Sequence, residues 1–274
     1  MMSHRYKLYL KRFSFVMCHL LVGAVLLSCD HISEADRLIE VEDELPGNPD
    51  LTAIRNVLLE DFTGQRCPNC PTGTEVIEQL QEAYGERLVA VGIHGGPLGF
   101  KGTPTVVGLA TDVGDTYYQH WNLEYQPVGL VNRHGALNYT EWVEAVRTEM
   151  ARESLVEMEM VADLVGDKID ITVREEAFGD FTGMLQVWLL EDGITALQTM
   201  PDGKNNREYV HNHVLRTPVN GIWGEAFTIG KGDQKSQTFT QTVDAAWNAD
   251  NLSAVAFIYN ASGVEQVVKM KVEH

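Results

Sequence analysis

The chain has 274 residues, enough for one large domain or two ordinary ones. Its 21 basic and 39 acidic residues leave a formal charge of −18. That balance excludes nucleic acid as a partner, which needs a basic footprint, and the acidic excess otherwise indicates a surface that repels other anionic surfaces.

The N-terminus reads as a targeting segment. Arg5, Lys7, Lys11 and Arg12 precede an apolar stretch over residues 13–27, the layout of a secretory signal. The stretch ends in Leu26-Leu27-Ser28-Cys29, which resembles a bacterial lipobox. That resemblance implies cleavage of residues 1–28 and lipidation of Cys29. An uncleaved anchor and an ordinary signal peptide are the alternatives. Residues 29–50 are acidic and polar, with Pro46, Gly47 and Pro49, and read as a tether. A lipid anchor holds a protein at a membrane through buried methylenes, so the anionic chain needs no electrostatic attraction to it.

Folded patterns begin with a continuous apolar run at 57–62, suited to a buried strand. After a loop to Cys67, Val76, Ile77, Leu80, Ala83 and Tyr84 recur at helical spacing, and Gly85 is a stop. A second apolar run at 88–93 completes a βαβ unit with two buried parallel strands. Residues 94–108 form a long Gly/Pro-rich loop. A helix is expected over 112–123, with Tyr117, Tyr118 and Trp121 on its apolar side, then a short strand at 128–131 behind Pro127. Another helix is expected over 139–152, with Thr140 as its cap and Trp142, Val143, Val146 and Met150 packing. Beyond 153 the period changes to two. Alternating strands are expected at 156–163, 169–174, 183–191, 209–216, 236–243, 252–260 and 264–272. Their spacing suggests an antiparallel sandwich, immunoglobulin-like or fibronectin-like. A boundary near 152 therefore separates an α/β domain over 51–152 from an all-β domain over 153–274.

Cysteine usage points to chemistry. Cys18 lies in the leader and Cys29 carries the lipid on the lipobox reading, which leaves Cys67 and Cys70 for the fold. An exported protein can keep disulfides, but a pair this close in sequence closes almost no loop and is a poor staple. Directly after the first strand of a βαβ unit, C-x-x-C signals redox chemistry. Cys67 is expected at a helix N-terminus, where free amides and the dipole stabilise a thiolate. Arg66 is adjacent and favours the same anion, and Pro68 suits the first helical turn. Cys70, one turn along, would resolve the mixed disulfide that Cys67 forms. Pro68 and Asn69 do not by themselves say whether the pair oxidises, reduces or isomerises. The sulfurs are their own reagents, so no cofactor is required.

Zinc is the competing reading, and it needs about four ligands. No second C-x-x-C exists, and His94, His120 and His134 lack ligand spacing, so no metal is expected. His211-Asn212-His213 puts two histidines on one face of the strand expected at 209–216. Surface or interface histidines are favoured there over a metal pair. Trp188, Trp223 and Trp247 are assigned to the sandwich core.

Residues 61–67, Asp61-Phe62-Thr63-Gly64-Gln65-Arg66-Cys67, resemble the strand-to-active-site segment of the thioredoxin family. The resemblance implies that Asp61, six residues before the first cysteine, helps move the proton of the second. It also implies that Pro127 is the cis-proline facing the active site, with Thr63, Gly64 and Gln126 nearby. Without the resemblance, Asp61 reads as a strand end or turn cap. The lipobox, C-P-N-C after L-E-D-F-T-G, the Y-Q-P-V-G strand and the later H-N-H-V-L-R strand are together similar to the Bacteroidetes outer-membrane lipoprotein family of about twenty-eight kilodaltons. That implies a thioredoxin-like domain followed by a β-rich domain, anchored at the outer membrane. This chain departs from the pattern in having little sequence between Val131 and the helix near Tyr139, so the last thioredoxin strand is expected to be short or missing. The leading expectation is a thiol–disulfide oxidoreductase acting on thiols or disulfides of exported proteins, with an envelope electron donor or acceptor. The alternative is a surface-anchored binding or adhesion module with a vestigial or regulatory cysteine pair. No nucleophile elbow, H-E-x-x-H or phosphate loop suggests a hydrolase.

Overall fold

Two fully buried strands begin the fold, β2 (Val57–Thr63) and β3 (Leu88–His94), after a two-residue strand β1 (Ala53–Ile54). The computed structural model describes residues 52–274; the leader, Cys29 and nearly all of the tether lie outside the described residues. α1 (Cys70–Tyr84) links β2 to β3, which pair in parallel. Continuous apolar sequence forms these strands because both of their faces are covered. α2 (Asp112–His120) is capped by Thr111, whose side chain accepts from Gly114 N. β4 (Val128–Val131) pairs antiparallel with β2, and β5 (Ala136–Asn138) with β4. α3 (Trp142–Met150) follows a 3-10 turn capped by Asn138, not by Thr140 as the sequence suggests. Glu141 reaches back to the Asn138 amide and completes a capping box, so the sequence reading sets the cap two residues too late.

β6 (Glu153–Ser154) pairs with β1. β7 (Val156–Val165) and β8 (Lys168–Ala177) alternate buried and exposed residues, and with β14 (Gln234–Thr242) they form a three-stranded antiparallel sheet. The remaining strands of this half are β9 (Phe181–Glu191), β10 (Ile194–Thr199), β11 (Asn205–His211), β12 (Val214–Pro218), β13 (Glu225–Ile229), β15 (Leu252–Asn260) and β16 (Gly263–Lys271). Except for the β10–β11 hairpin, they join the first half in one mixed sheet ordered β16-β15-β9-β12-β3-β2-β4-β5, with β13 on β9.

The join corrects the boundary at 152. β12 lies between the two halves, parallel to β3 at Val214–Gly92 and antiparallel to β9. It covers the strand edge that β3 would otherwise expose. The expected strand at 209–216 is therefore two elements, broken at His213, whose φ is +58°. The described residues, 52–274, make one compact unit, β-rich with few helices.

The three larger apolar clusters among the described residues follow from this arrangement. α1 and α3 pack Ile77, Leu80, Trp142 and Val146 on one face of β2–β4. The opposite face, with Phe62 and Ile93, meets Trp188, Leu190 and Phe257 from β9 and β15, and α2 inserts Tyr117 between them. The far face of β9 and β15 packs against β7–β8. Trp188 thus belongs to the core between the halves, with its Nε1 donating to Tyr117 Oη at 3.2 Å. Arg133 is buried in the same region and forms a two-pronged pair with Glu60, both bonds 3.0 Å. Its guanidinium lies 4.3 Å from the centre of the Tyr259 ring.

Candidate functional site: a capped C-x-x-C loop

β2 ends at Thr63, and the chain turns through Gly64 into the cysteine loop. A Cβ on Gly64 would sit 2.3 Å from the carbonyl oxygen of Leu98, so only glycine lets the 95–108 loop lie this close. Arg66 N donates to that carbonyl at 3.0 Å, and Cys67 N to Gly64 O at 3.0 Å. Cys67 and Cys70 form a disulfide with Cα atoms 5.4 Å apart. α1 begins at Cys70, with Asn69 as N-cap and Pro71 in the first turn. Cys67 and Pro68 therefore precede the helix, which corrects the expectation that both open it. Cys70 N turns back to Cys67 O at 3.4 Å, while Thr72 N and Gly73 N both donate to Asn69 O. Arg66 is exposed, with its guanidinium 4.8 Å from the centre of the Phe100 ring.

Pro127 follows a cis peptide bond from Gln126 and packs beside α1, 3.4 Å from where a Gly73 Cβ would stand. Gln126 pins the surrounding backbone. Its Nε2 donates to Thr63 O at 2.7 Å and Gly95 O at 3.0 Å, and its Oε1 accepts from Leu98 N at 3.0 Å.

The β10–β11 hairpin, absent from the sequence reading as a unit, caps this loop. Gln198 Nε2 donates to Cys67 O at 2.8 Å and Thr199 N to Gln65 O at 2.8 Å. Gln65, fully buried, answers with Nε2 to Leu197 O at 3.0 Å and to Val107 O at 3.1 Å, and its Oε1 accepts from Leu109 N at 2.8 Å. Under this cap Cys67 is 0 % and Cys70 2 % exposed.

Between the hairpin, α1 and the sheet lies a cavity of about 190 Å³, lined by Asp61, Cys70, His94, Gln198, Tyr209 and His211 among others. Register explains the space and the company. Asp61 is flanked by Gly92 on β3 and Gly129 on β4, so no side chain fills the positions beside it. His94 is two residues beyond Gly92 and faces the same way. Asp61 is buried, its Oδ1 has no hydrogen-bond partner, and burial pushes its carboxyl up to about 8. Burial, with His211 and Arg216 nearby, holds His94 well below the ordinary imidazole range. Burial also lowers His211 to about 4, against the pull of backbone hydrogen bonds with Leu197 and Ala196. The cavity at neutral pH thus holds a neutral carboxyl and neutral imidazoles.

The other singled-out histidines disperse. His120 stacks on Trp223 with ring centres 4.2 Å apart, and His134 pairs with Glu149 at 3.4 Å. His213 lies beyond the end of β11, with a φ of +58°, and pairs with Asp192 at 3.1 Å, so the expected pair on one strand face does not form. Among the described residues no group of three or more His, Cys, Asp or Glu is placed to hold a metal ion. Gln65, Gln198 and Tyr209 are the site residues missed by the sequence reading. The signal for two of them was present: Pro201-Asp202-Gly203 is a turn sequence between two short alternating runs.

A family model described as outer membrane protein Omp28 matches residues 114–274, over half of the chain. The chain belongs to the Omp28 family. It is accordingly an envelope protein of the outer membrane, and among the described residues no helix is long and apolar enough to cross a membrane. A domain of the outer membrane lipoprotein Omp28 from Porphyromonas gingivalis is 32 % identical, covering 44 % of this chain and 89 % of that one, with a TM-score of 0.34. HBP35 of Porphyromonas gingivalis is similar in fold, with a TM-score of 0.63 at 16 % identity over 81 % of this chain and 77 % of that one. An Agrobacterium tumefaciens protein of known structure gives a TM-score of 0.50 at 17 % identity, covering 81 % of this chain and 96 % of its own. No curated protein matches the chain.

Proposed function

We propose that this Omp28-family chain is a thiol–disulfide oxidoreductase of the envelope, held at the outer membrane by a lipid on Cys29. The observation that carries the reading is the Cys67–Cys70 disulfide between β2 and α1, with buried Asp61 and cis Pro127 against the same helix. A parallel β2–α1–β3 unit followed by antiparallel β4 and β5 supports a thioredoxin-like reading of residues 51–152. In the reducing direction, the Cys67 thiolate attacks a disulfide of an exported protein and releases one thiolate. Cys70 then attacks the mixed disulfide, displaces the second thiolate and leaves the bond seen here. Turnover requires an envelope dithiol that donates two electrons back to the pair. Because Cys67 is sealed, exchange also requires the β10–β11 hairpin to lift.

Reduction of insulin by the full mature chain tests the reading. Activity is expected to vanish in Cys67→Ser; activity unchanged by that substitution overturns it.

The burial of Cys67 favours a second reading, a surface binding module in which the pair is structural or regulatory. Its signature is partner capture that survives loss of both cysteines, with no reaction of the disulfide toward dithiothreitol under native conditions.

A further inference from the structure

A strand edge presents unpaired N–H and C=O groups, a template for another strand unless it is covered, charged or broken. The edges in this fold are handled unequally. β3 is covered by β12. The outer edge of β7 is closed by Glu273, whose O accepts from Leu164 N at 2.7 Å and whose N donates to Ala162 O at 2.9 Å. On β16, Val264 N donates to Asn132 O at 2.9 Å, and Val267 O accepts from Asn56 Nδ2 at 2.9 Å. β5 is three residues long. β14 has none of these protections. It runs for nine residues, pairs with β8 along one side without a register shift, and ends the sheet on the other. Each of its residues is exposed or half-buried. It holds no proline and no acidic residue, and Lys235 is its one charge.

Register shows which of its groups are open. Just beyond its ends, Ala177 N donates to Asp233 O at 3.0 Å and Val243 N to Asp167 O at 2.8 Å, in continuation of the β8–β14 pairing. Antiparallel strands alternate between residues that bond to the neighbour and residues whose N–H and C=O turn away from it. The odd-numbered residues therefore bond to β8, and Gln234, Ser236, Thr238, Thr240 and Thr242 turn their backbone groups to the open edge. Thr242 O is taken up by the side chain of Gln241 at 2.8 Å, as suits a carbonyl with no strand beside it. The side chains of the same five residues lie on the exposed face of the sheet. There Thr238 Oγ1 already meets Thr172 Oγ1 of β8 at 2.9 Å.

We propose that a second copy of the chain adds its own β14 to this edge, antiparallel, about a two-fold axis through Thr238. That register uses all five outward residues. Thr238 faces the partner's Thr238, Ser236 the partner's Thr240, and Gln234 the partner's Thr242. Each such pair exchanges two backbone hydrogen bonds, and the two three-stranded sheets become one of six strands, a usual size. Charge selects the occupant. With 39 acidic residues and a formal charge of −18, two copies repel over most of their surfaces, and β14 carries none of those acids. In this register Lys235 faces the partner's Gln241 and Gln237 the partner's Phe239, so no charge meets its like. Phe239, half-buried at the rim of the core between the sheets, gains cover. The contact is the same on both copies and closes on itself. It stands apart from the cysteine chemistry, which neither requires nor opposes it.

Sedimentation velocity tests this on the full mature chain with Cys29→Ser, so that neither a lipid nor a stray thiol intervenes, at about 0.15 M salt, where repulsion is screened. The chain is expected to pass from monomer to dimer below about 1 mM. Thr238→Pro removes an outward N–H and no bond to β8. It is expected to weaken dimerisation about tenfold or more, with an unchanged circular dichroism spectrum. Cysteine substitutions then read the register, because directly paired Cα atoms about 5.5 Å apart suit a disulfide. On oxidation, Thr238→Cys is expected to link two copies, Ser236→Cys alone is not, and Ser236→Cys mixed with Thr240→Cys is. A chain that stays monomeric to about 1 mM overturns the proposal, whether or not it takes up an added extended peptide at β14. A dimer that Thr238→Pro leaves intact also overturns it, because the contact then lies elsewhere. If Thr238→Pro does not fold, the cysteine variants decide alone, and crosslinking that ignores the register overturns the proposal.

Discussion

Asp61→Asn in the oxidised protein should reverse its effect on stability between acid and neutral pH. Asp61 is 3 % exposed, and burial raises its carboxyl from 3.8 to about 8. The folded state therefore binds a proton that the unfolded chain releases above pH 4. Such a group contributes most below its unfolded value, and its contribution is lost as pH rises toward 8. The slope is about 1.4 kcal/mol per pH unit, which amounts to about 4 kcal/mol by pH 7. Asparagine has no proton to lose, but its amide finds no certain partner where Oδ1 has none, a cost of about 1–2 kcal/mol. The variant is expected to be less stable than wild type by about that amount at pH 4, and more stable by about 2–3 kcal/mol at pH 7. Urea unfolding monitored by tryptophan fluorescence at several pH values measures the gap. A gap that does not change between pH 4 and pH 8 refutes the argument that Asp61 is held neutral by burial.

Glu175 tests the same logic away from the cysteines. It is 2 % exposed, neither carboxylate oxygen has a hydrogen-bond partner, and burial raises it from 4.5 to about 7 against the pull of Lys235. Its contribution is present below pH 4.5 and lost as pH rises through 7, so Glu175→Gln, with the same unpartnered-amide cost of about 1–2 kcal/mol, should be less stable than wild type at pH 4 and more stable by about 1–2 kcal/mol at pH 8, read by the same unfolding curves. Gly64→Ala places a methyl 2.3 Å from the Leu98 carbonyl; it should cost about 2 kcal/mol or more and increase proteolysis within 95–108. Gln198→Ala removes the side-chain donor to Cys67 O. It leaves Cys67 O with only the longer bond from Cys70 N, at a cost of about 1 kcal/mol, and should speed reduction of the disulfide by dithiothreitol. An unchanged reduction rate would mean that the hairpin does not control access.

What could be read from the sequence was whatever depends on local pattern. The runs at 57–62 and 88–93 became β2 and β3 because strands buried on both faces need no periodicity beyond apolarity. The alternation at 156–163 and 169–174 became the longer β7 and β8 for the opposite reason, since one face is wet. The boundary at 152 failed because nothing local records that Val214 pairs with Gly92. The 209–216 run, read as one strand, holds a residue in the left-handed region at His213, which no side-chain pattern announces there. Thr140 lost the capping role to Asn138 because Glu141 completes the box with the earlier residue.

The same distinction separates the two halves of the candidate site. Asp61, Cys67, Cys70 and Pro127 lie within the first half and were recognisable together. His94 was noticed only as a poor zinc ligand, and His211 only as half of a pair that does not form. Their meeting depends on the β10–β11 hairpin returning across the cysteine loop from more than 120 residues away. A cap so placed does two opposed things. It removes Cys67 from solvent, which an exchange enzyme cannot tolerate permanently. It also brings the His211 imidazole to the wall of the Cys70 cavity, where a simple cover would place an apolar side chain. Burial alone would suit an inert staple, but an inert staple does not require Asp61, His94 and His211 to share one cavity wall with Cys70. That company is the physical reason to favour a working site that opens over a sealed relic.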